Sequence, residues 1–296
     1  MSPTRTAYSI KAVDGTLNVG NRTLVMGILN VTPDSFSDKG QYFGVDASVR
    51  RAWEIVEEGA DILDIGGEST RPGSGGIDVK EELRRVIPTL EALTQGAKYP
   101  IPISVDTTKS EVAEAALKCG AKIINDISAM ESDPRIGHVA ARYGAALVLM
   151  HMRGTPETMQ SLPPSPDILS EIEAWAGCAV ARAKDCGVTS EQIILDPGVG
   201  FGKTAAQNVE IIANLHRLAA DGFPILIGTS RKAFIGAVTG KPAGSRIFGT
   251  CATVAASVLY GAHIVRVHDV AAAREVADVT DVIARQASGN EVVNKE

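Results

Sequence analysis

The chain has 296 residues, 45% of them apolar and 22% charged, a composition that excludes disorder and fits one large domain, since strand-and-helix barrels reach about 250 residues as a single unit. Its 29 basic and 35 acidic side chains leave a net charge of -6 with no basic run, which argues against nucleic acid as a partner. No apolar run reaches the roughly 18 residues of a membrane span and "MSPTRTAYSIKAVDG" has no signal-peptide core, so a cytoplasmic protein with no membrane partner is expected.

In chain order, "GTLNVGNRTL" has the pattern of a hairpin turning at Gly20 and Asn21, placed to plug one mouth of whatever follows. Then come eight short β-rich runs: "LVMGIL" (24–29), "ILDIGG" (62–67), "IPISVD" (101–106), "KIINDI" (122–127), "ALVLMH" (146–151), "QIILD" (192–196), "PILIG" (224–228) and "HIVRVH" (263–268). Between them lie amphipathic helical patterns such as "DASVRRAWEIVEEGA", "KEELRRVIPTLEALTQ", "ILSEIEAWAGCAVARAKDCG" and "AQNVEIIANLHRLAADG", several closed by a glycine where a helix C-cap belongs. Apolar strands alternating with helices mean a parallel sheet covered on both faces. Eight such units predict an α/β fold, a (β/α)8 TIM barrel, rather than an open doubly wound sheet, because the first strand-to-helix turn lacks G-x-G-x-x-G. The expected division is an N-terminal arm and hairpin over 1–21, a single barrel domain over 22–286 and a tail over 287–296. Cys119, Cys178, Cys186 and Cys251 show no CxxC spacing and are expected to be buried, inert thiols.

A barrel does its chemistry at the C-terminal ends of its strands. Those ends carry Asn30; Asp64 with "GGESTRPG"; Asp106; Asn125 and Asp126; His151 and Arg153; Asp196 with "PGVGFGK"; "TSRK" ending in Lys232; and Arg266 with His268. Each has a plain structural explanation as well. Asp106 can cap the following helix, Asp126 and Ser128 are read as a cap, and Asp64 can be a hydrogen-bonded polar member of the barrel interior. Asp196 with Pro197 can be only a turn, His151 with Arg153 a solvated rim, and Phe201 ordinary loop packing. Convergence weakens these explanations together, because several buried carboxylates and amides without a ligand or partners would cost a few kcal/mol each.

Asp106, Asn125 and Asp196 suit a flat heterocycle presenting adjacent N–H donors, an aminopyrimidinone ring. Lys232 and Arg266 supply donors to a ring carbonyl and a cationic face for stacking. Arg266, His268 and the helix start near Asp269 suit an anion, a role barrels often give to their last loops. "GVGFGK" lacks the G-x-x-x-x-G-K-[ST] frame, so Walker-type nucleotide binding is rejected, and its small residues are read as allowing close backbone approach to a ring.

In order along the chain, "MGILNVTPDSFSDKG", "DIGGESTRPG", "SVDTTK", "NDISA", "LMHMRGTP", "LDPGVGFGK", "TSRK" and "VRVHD" closely resemble the dihydropteroate synthases, from about residue 22 to 270. The resemblance implies a (β/α)8 barrel that joins 7,8-dihydropterin-6-ylmethyl diphosphate to para-aminobenzoate, and because an aniline is a weak nucleophile the expected course is dissociative substitution, the C–O bond to diphosphate breaking first. It implies that Asp106, Asn125, Asp196, Lys232 and Arg266 hold the pterin, and Phe201, from its place in "GVGFGK", is read as a wall of that pocket. Thr70, Arg71, Pro72, Phe36 and Ser230 would build the aminobenzoate site, and Asn30, Arg266 and His268 the diphosphate site. Asn30 would ligate Mg2+, and Lys232, Arg266, His268 and Asp34 form the implied catalytic set. Loop 31–44 resembles the family's mobile first loop, and the family resemblance suggests a homodimer through the last helices. One departure is Ala233, where many relatives carry a serine that contacts the aminobenzoate carboxylate. Backbone N–H groups of the following helix, with Ser230 nearby, would take over that contact. Two other readings are kept: a methyltetrahydrofolate-binding methyl-transfer domain, and a non-catalytic pterin-binding paralogue.

Overall fold

A computed structural model describes residues 5–32, 40–69, 74–95, 99–219 and 222–287, the side chains of 40–43 excepted. The chain enters as an antiparallel hairpin, β1 (Tyr8–Ala12) and β2 (Gly15–Val19), in which Ala12 faces Gly15. Its turn is therefore Val13 and Asp14, not the expected Gly20 and Asn21. "NVGNRT" carries a turn signature, but the residues after Asn21 run straight into the barrel. Gly20, at φ +103°, instead takes the chain close past the backbone of Thr6 and Ala7, where a side chain has no room.

The barrel strands are β3 (Leu24–Asn30), β4 (Ile62–Gly66), β5 (Ile103–Asp106), β6 (Ile123–Asp126), β7 (Ala146–Met150), β8 (Ile193–Asp196), β9 (Leu226–Ile227) and β10 (Ile264–Val267). They form one eight-stranded sheet ordered β8-β7-β6-β5-β4-β3-β10-β9, parallel throughout. A parallel bridge between Leu195 and Ile225 brings the two ends together, so the sheet closes as the alternation predicts. All eight expected strands are present, each shorter than or nearly equal to its apolar run.

Helices α1 (Gly40–Glu57), α2 (Val79–Thr94), α3 (Ser110–Lys118), α4 (Arg135–Tyr143) and α5 (Ile168–Asp185) follow β3 to β7 in turn. After β8 the expected long helix is two, α6 (Ala205–Ala213) and α7 (Leu215–Ala219). Asn214 leaves helical geometry at φ -121°, ψ 22°, and its amide donates to the Glu210 carbonyl, a local competitor of the helix ladder. The last helices are α8 (Ala233–Thr239), α9 (Ile247–Leu259) and α10 (Val270–Ala287).

Strand alternation sorts the core into two shells. Outward residues such as Val25, Leu63, Val105, Ile124, Leu149 and Val265 pack under the helices. Inward residues Met26, Ile62, Ile123, Val148, Ile194, Leu226 and Ile264 fill the lower interior, where Ile10 and Val19 of the hairpin join them. The hairpin thus stops the N-terminal mouth with apolar side chains, and polar chemistry is confined to the other end. Asp281 of α10 fastens the arm: its carboxylate accepts from the Thr23 N–H at 2.6 Å, the Thr23 hydroxyl at 2.9 Å and the Arg5 guanidinium at 2.5 Å.

Candidate active site

Parallel register fixes which side chains share a rung. Asn30 pairs with Gly66, Gly66 with Asp106, and Asp106 with Asn125, so the inward residues of four neighbouring strands lie side by side at the C-terminal mouth. A Cβ on Gly66 would stand 3.5 Å from Asp106 Cβ and 3.7 Å from Asn30 Oδ1, so glycine leaves the floor between those side chains open. One pleat lower, Asp64 also points inward and is fully buried.

Arg266 of β10 ties these layers together. Its Nε donates to Asp64 Oδ2 at 2.6 Å and its Nη2 to Asp106 Oδ2 at 2.7 Å, while Asn125 Nδ2 donates to the same Asp64 oxygen at 3.0 Å. Two carboxylates therefore hold the guanidinium plane in one orientation, and Asp64 decides which way the Asn125 amide faces. Burial pushes the Asp106 carboxyl up to about 7. Arg266 opposes that rise, and the charges of Asp64, Glu82 and Asp126 add to it. The Arg266 guanidinium is held above its ordinary value, the two carboxylates outweighing its burial.

Across the mouth stand Asp196 and Lys232. Burial raises the Asp196 carboxyl, opposed by the Lys232 charge and by the Gly198 N–H that it accepts at 2.7 Å. Burial lowers the Lys232 ammonium to about 8 against the pull of Asp196. That ammonium donates to the Val199 carbonyl and lies 4.4 Å from the centre of the Phe201 ring, a cation-π contact that seats Phe201 on the wall beside it. Lys203 turns under its own loop: its ammonium donates to the carbonyls of His151, Gly198 and Phe201 at 3.1, 2.9 and 3.0 Å. The lysine of "GVGFGK" is thus an internal brace, as rejection of a phosphate loop requires. Gly198, Gly200 and Gly202 have positive φ and press against His151, Lys232 and Arg153.

The "TSRK" turn meets the end of β10. Ser230 Oγ accepts the His268 N–H at 3.2 Å and lies 3.0 Å from His268 Nδ1. Arg231, at φ +58°, grips the Asp269 carboxylate with two nitrogens, Nε at 2.9 Å, joining the two loops that flank α8 and α10.

Asn30, Asp106, Asn125, Asp196, Phe201, Ser230, Lys232, Arg266 and His268 all stand on strand ends or loops of this mouth. Asp34, Phe36, Thr70, Arg71 and Pro72 lie outside the described residues. Several plain explanations can now be separated. Asp106 does not cap α3, whose N-cap is Lys109, whereas Asp126 organises the turn after β6 by accepting from Ser128 and Met130 N–H groups at 2.8 and 2.6 Å. His151 is no solvated rim: it is buried edge-on against Trp175, and burial drives its ring toward the neutral form. The cysteines are less enclosed than expected, since Cys178 is exposed and the other three half-buried, their surroundings being helix surfaces. Two residues of consequence carried too little signal in the sequence. Asp64 looked like any interior polar residue, and its importance comes from bonding residues 61 and 202 positions away. Lys203 sat in a motif that pointed elsewhere.

The family model described as "Pterin binding enzyme" matches residues 26–268. The dihydropteroate synthase of Synechocystis sp. is 48% identical over 267 residues, covering 90% of this chain and 92% of that protein. A dihydropteroate synthase structure from Clostridium difficile, solved in the presence of pteroic acid, matches with a TM-score of 0.84 at 44% identity, covering 90% of this chain and 98% of that one. The Xanthomonas albilineans dihydropteroate synthase with 4-aminobenzoic acid matches with a TM-score of 0.85 at 40% identity, covering 97% and 100%. With a closed (β/α)8 barrel, a polar mouth built from its strand ends and these likenesses over nine-tenths of its length, the chain belongs to the pterin-binding enzymes and, among them, to the dihydropteroate synthases.

Proposed function

We propose that the barrel mouth joins 7,8-dihydropterin-6-ylmethyl diphosphate to para-aminobenzoate, releasing diphosphate and giving 7,8-dihydropteroate, as a pterinylmethyl transferase of folate biosynthesis. The observation that carries this reading is the linked set Asp64, Asp106, Asn125 and Arg266, a preformed array of acceptors beside a fixed cationic plane. Asp106, Asn125 and Asp196 accept from the ring's N–H edge, Lys232 donates to its carbonyl, Phe201 walls it, and Arg266 stacks on its face.

The C–O bond to diphosphate breaks first, its electron pair leaving with the diphosphate oxygen, because an aniline is a weak nucleophile. The buried carboxylates stabilise the cationic methylene left behind, and Arg266 with His268 takes up the departing charge. Ser230 accepts the His268 backbone N–H and its Oγ lies 3.0 Å from Nδ1, two contacts that fix the orientation of the imidazole at this end of the mouth. The aminobenzoate nitrogen then forms the new C–N bond and sheds a proton readily, so no strong general base is required. Asp34, Phe36 and the loop bearing Thr70, Arg71 and Pro72 complete the second substrate's site and exclude water that would capture the cation.

Magnesium fits as a companion of the diphosphate. Among the described residues no group of three His, Cys, Asp or Glu is placed to hold a metal by itself, whereas Asn30, half-buried on the mouth rung, offers the hard oxygen that Mg2+ takes alongside phosphate and water. Bound there, it would neutralise leaving-group charge. A homodimer through the last helices is supported by exposed apolar side chains on α9 and α10, Phe248 at 87% exposure, with Val279 and Ile283. No helix among the described residues is long and apolar enough to cross a membrane, and a cytoplasmic location is part of the proposal.

The test is diphosphate release on mixing both substrates with Mg2+, with dihydropteroate formation inhibited competitively by a sulfonamide acting as a rival aniline. A methyl-transfer domain or a non-catalytic paralogue would release none.

A further inference from the structure

The helix after β8 carries a buried polar residue that the helix itself does not need. The N-terminus of α6 is capped by Thr204 and Gln207, whose side chains accept each other's backbone N–H groups. Asn208, one residue further in, is 3% exposed and of a type that weakens a helix interior. Its carboxamide bonds the loop between β8 and α6 instead. Nδ2 donates to the carbonyls of Lys203 at 3.3 Å and Thr204 at 2.9 Å, so Oδ1 faces the other way and accepts the Gly200 N–H at 2.6 Å.

That N–H belongs to the same peptide unit as the Val199 carbonyl. A peptide unit is planar and trans, so its N–H and C=O point in opposite directions and turn together. With the N–H held by Asn208, the Val199 carbonyl is aimed at the mouth, where it accepts from the Lys232 ammonium. Gly200 permits the approach: it sits at φ +88°, and a Cβ there would stand 2.9 Å from Lys232 Cδ. The rest of the loop is braced separately, by the Lys203 ammonium on the carbonyls of His151, Gly198 and Phe201, while Asp196 draws on the Gly198 N–H. An ammonium has three N–H donors, and the one given to Val199 fixes the directions of the other two.

We propose that Asn208 is a positioning residue for pterin binding: through the peptide unit of Val199 and Gly200 it sets the direction in which the Lys232 ammonium points in the mouth. The inference rests on the reading that Lys232 donates to the pterin carbonyl. Asn208 touches no substrate, and its effect on the ring passes through Lys232.

The experiment is a double-mutant cycle on the full chain with Mg2+ present. The Kd for pterin diphosphate and the melting temperature are measured for wild type, Asn208→Ala, Lys232→Met and the double variant, and the KM for aminobenzoate for the first two. Asn208→Ala should raise the pterin Kd about tenfold and leave the aminobenzoate KM, at saturating pterin diphosphate, within about twofold. In the Lys232→Met chain the same substitution should move the pterin Kd by less than about twofold, because the group it positions is gone. Asn208→Leu, close in size, repeats the test should the alanine variant fail to fold. Asn208→Asp, which keeps an oxygen for the Gly200 N–H, should stay within about threefold of wild type. Gln207→Ala, which uncaps the same helix turn, should lower the melting temperature without moving the pterin Kd. A loss that persists undiminished in the Lys232→Met chain, a Kd unchanged in the Asn208→Ala and Asn208→Leu chains, or an equal loss in Gln207→Ala overturns the inference while the functional reading survives. Pterin binding by Lys232→Met as tight as wild type overturns the reading of Lys232, and the inference falls with it.

Discussion

Arg266 on β10 and Asp106 on β5 are joined by a 2.7 Å hydrogen bond across the barrel mouth, with β3 and β4 between their strands. The pair is a preformed charge arrangement, and in the proposed site an incoming ring would meet an oriented cation beside a carboxyl acceptor.

That placement predicts a bell-shaped affinity. Burial pushes Asp106 up to about 7 and Lys232 down to about 8, and the proposed pterin site needs the first ionised and the second protonated. Pterin affinity should peak between those values and fall on either side, measured by calorimetry from about pH 5 to about pH 9. Asp106→Asn should lose the acid limb. Stability moves in a defined direction: the folded value lies above the ordinary carboxylate value, so folding gains from Asp106 fully below about pH 4. That gain disappears as pH rises through about 7. An affinity flat across this range would refute the assignment.

Asp64 should matter to pterin binding without touching the ring. Asp64→Ala removes the oxygen that serves both Arg266 and Asn125, leaving both donors unmatched at a cost of about 1–3 kcal/mol, roughly 5- to 150-fold in Kd. Titration of the variant with pterin diphosphate checks this, and a Kd within about twofold of wild type would show that Arg266 and Asn125 hold themselves.

Gly198→Ala should destabilise the chain by more than about 1 kcal/mol. The residue sits at φ +63°, and an added Cβ would collide with the His151 carbonyl oxygen, which also accepts from Lys203. Thermal unfolding should show a lowered midpoint and the pterin Kd should rise with it, since Asp196 depends on the Gly198 N–H. A variant melting with the wild type would mean the loop can shift at no cost.

Phe248→Glu should convert the proposed dimer to monomer. A phenylalanine that is buried on association contributes about 1.5–3 kcal/mol, and a carboxylate in its place reverses the sign. Sedimentation velocity of both proteins decides the matter, and a wild-type chain that already sediments as a monomer would remove the basis for the interface.

Much of this molecule is written in local pattern. The eight apolar runs, the closing glycines and the polar residue at each strand end follow from periodicity and turn chemistry, and the barrel follows from their alternation. Local signals misled where two were in competition. The turn signature at Gly20 and Asn21 was the stronger, but the two-residue turn at Val13 and Asp14 won because pairing β1 with β2 puts Ile10 and Val19 in the barrel floor. The helix after β8 is interrupted at Asn214, which leaves helical geometry and bonds the Glu210 carbonyl through its side chain.

The amino-acid sequence by itself therefore determined that polar groups gather at one mouth of an apolar barrel, because alternation along each strand is a property of the strand alone. Only the tertiary structure decided which atoms meet: that Asp64 serves Arg266 and Asn125 together, that Ser230 turns toward His268, and that Lys109 stands between Glu68 and Glu82. Those bonds join residues up to 202 positions apart, and such partners are set by strand register and closure of the sheet, which no short stretch of chain encodes.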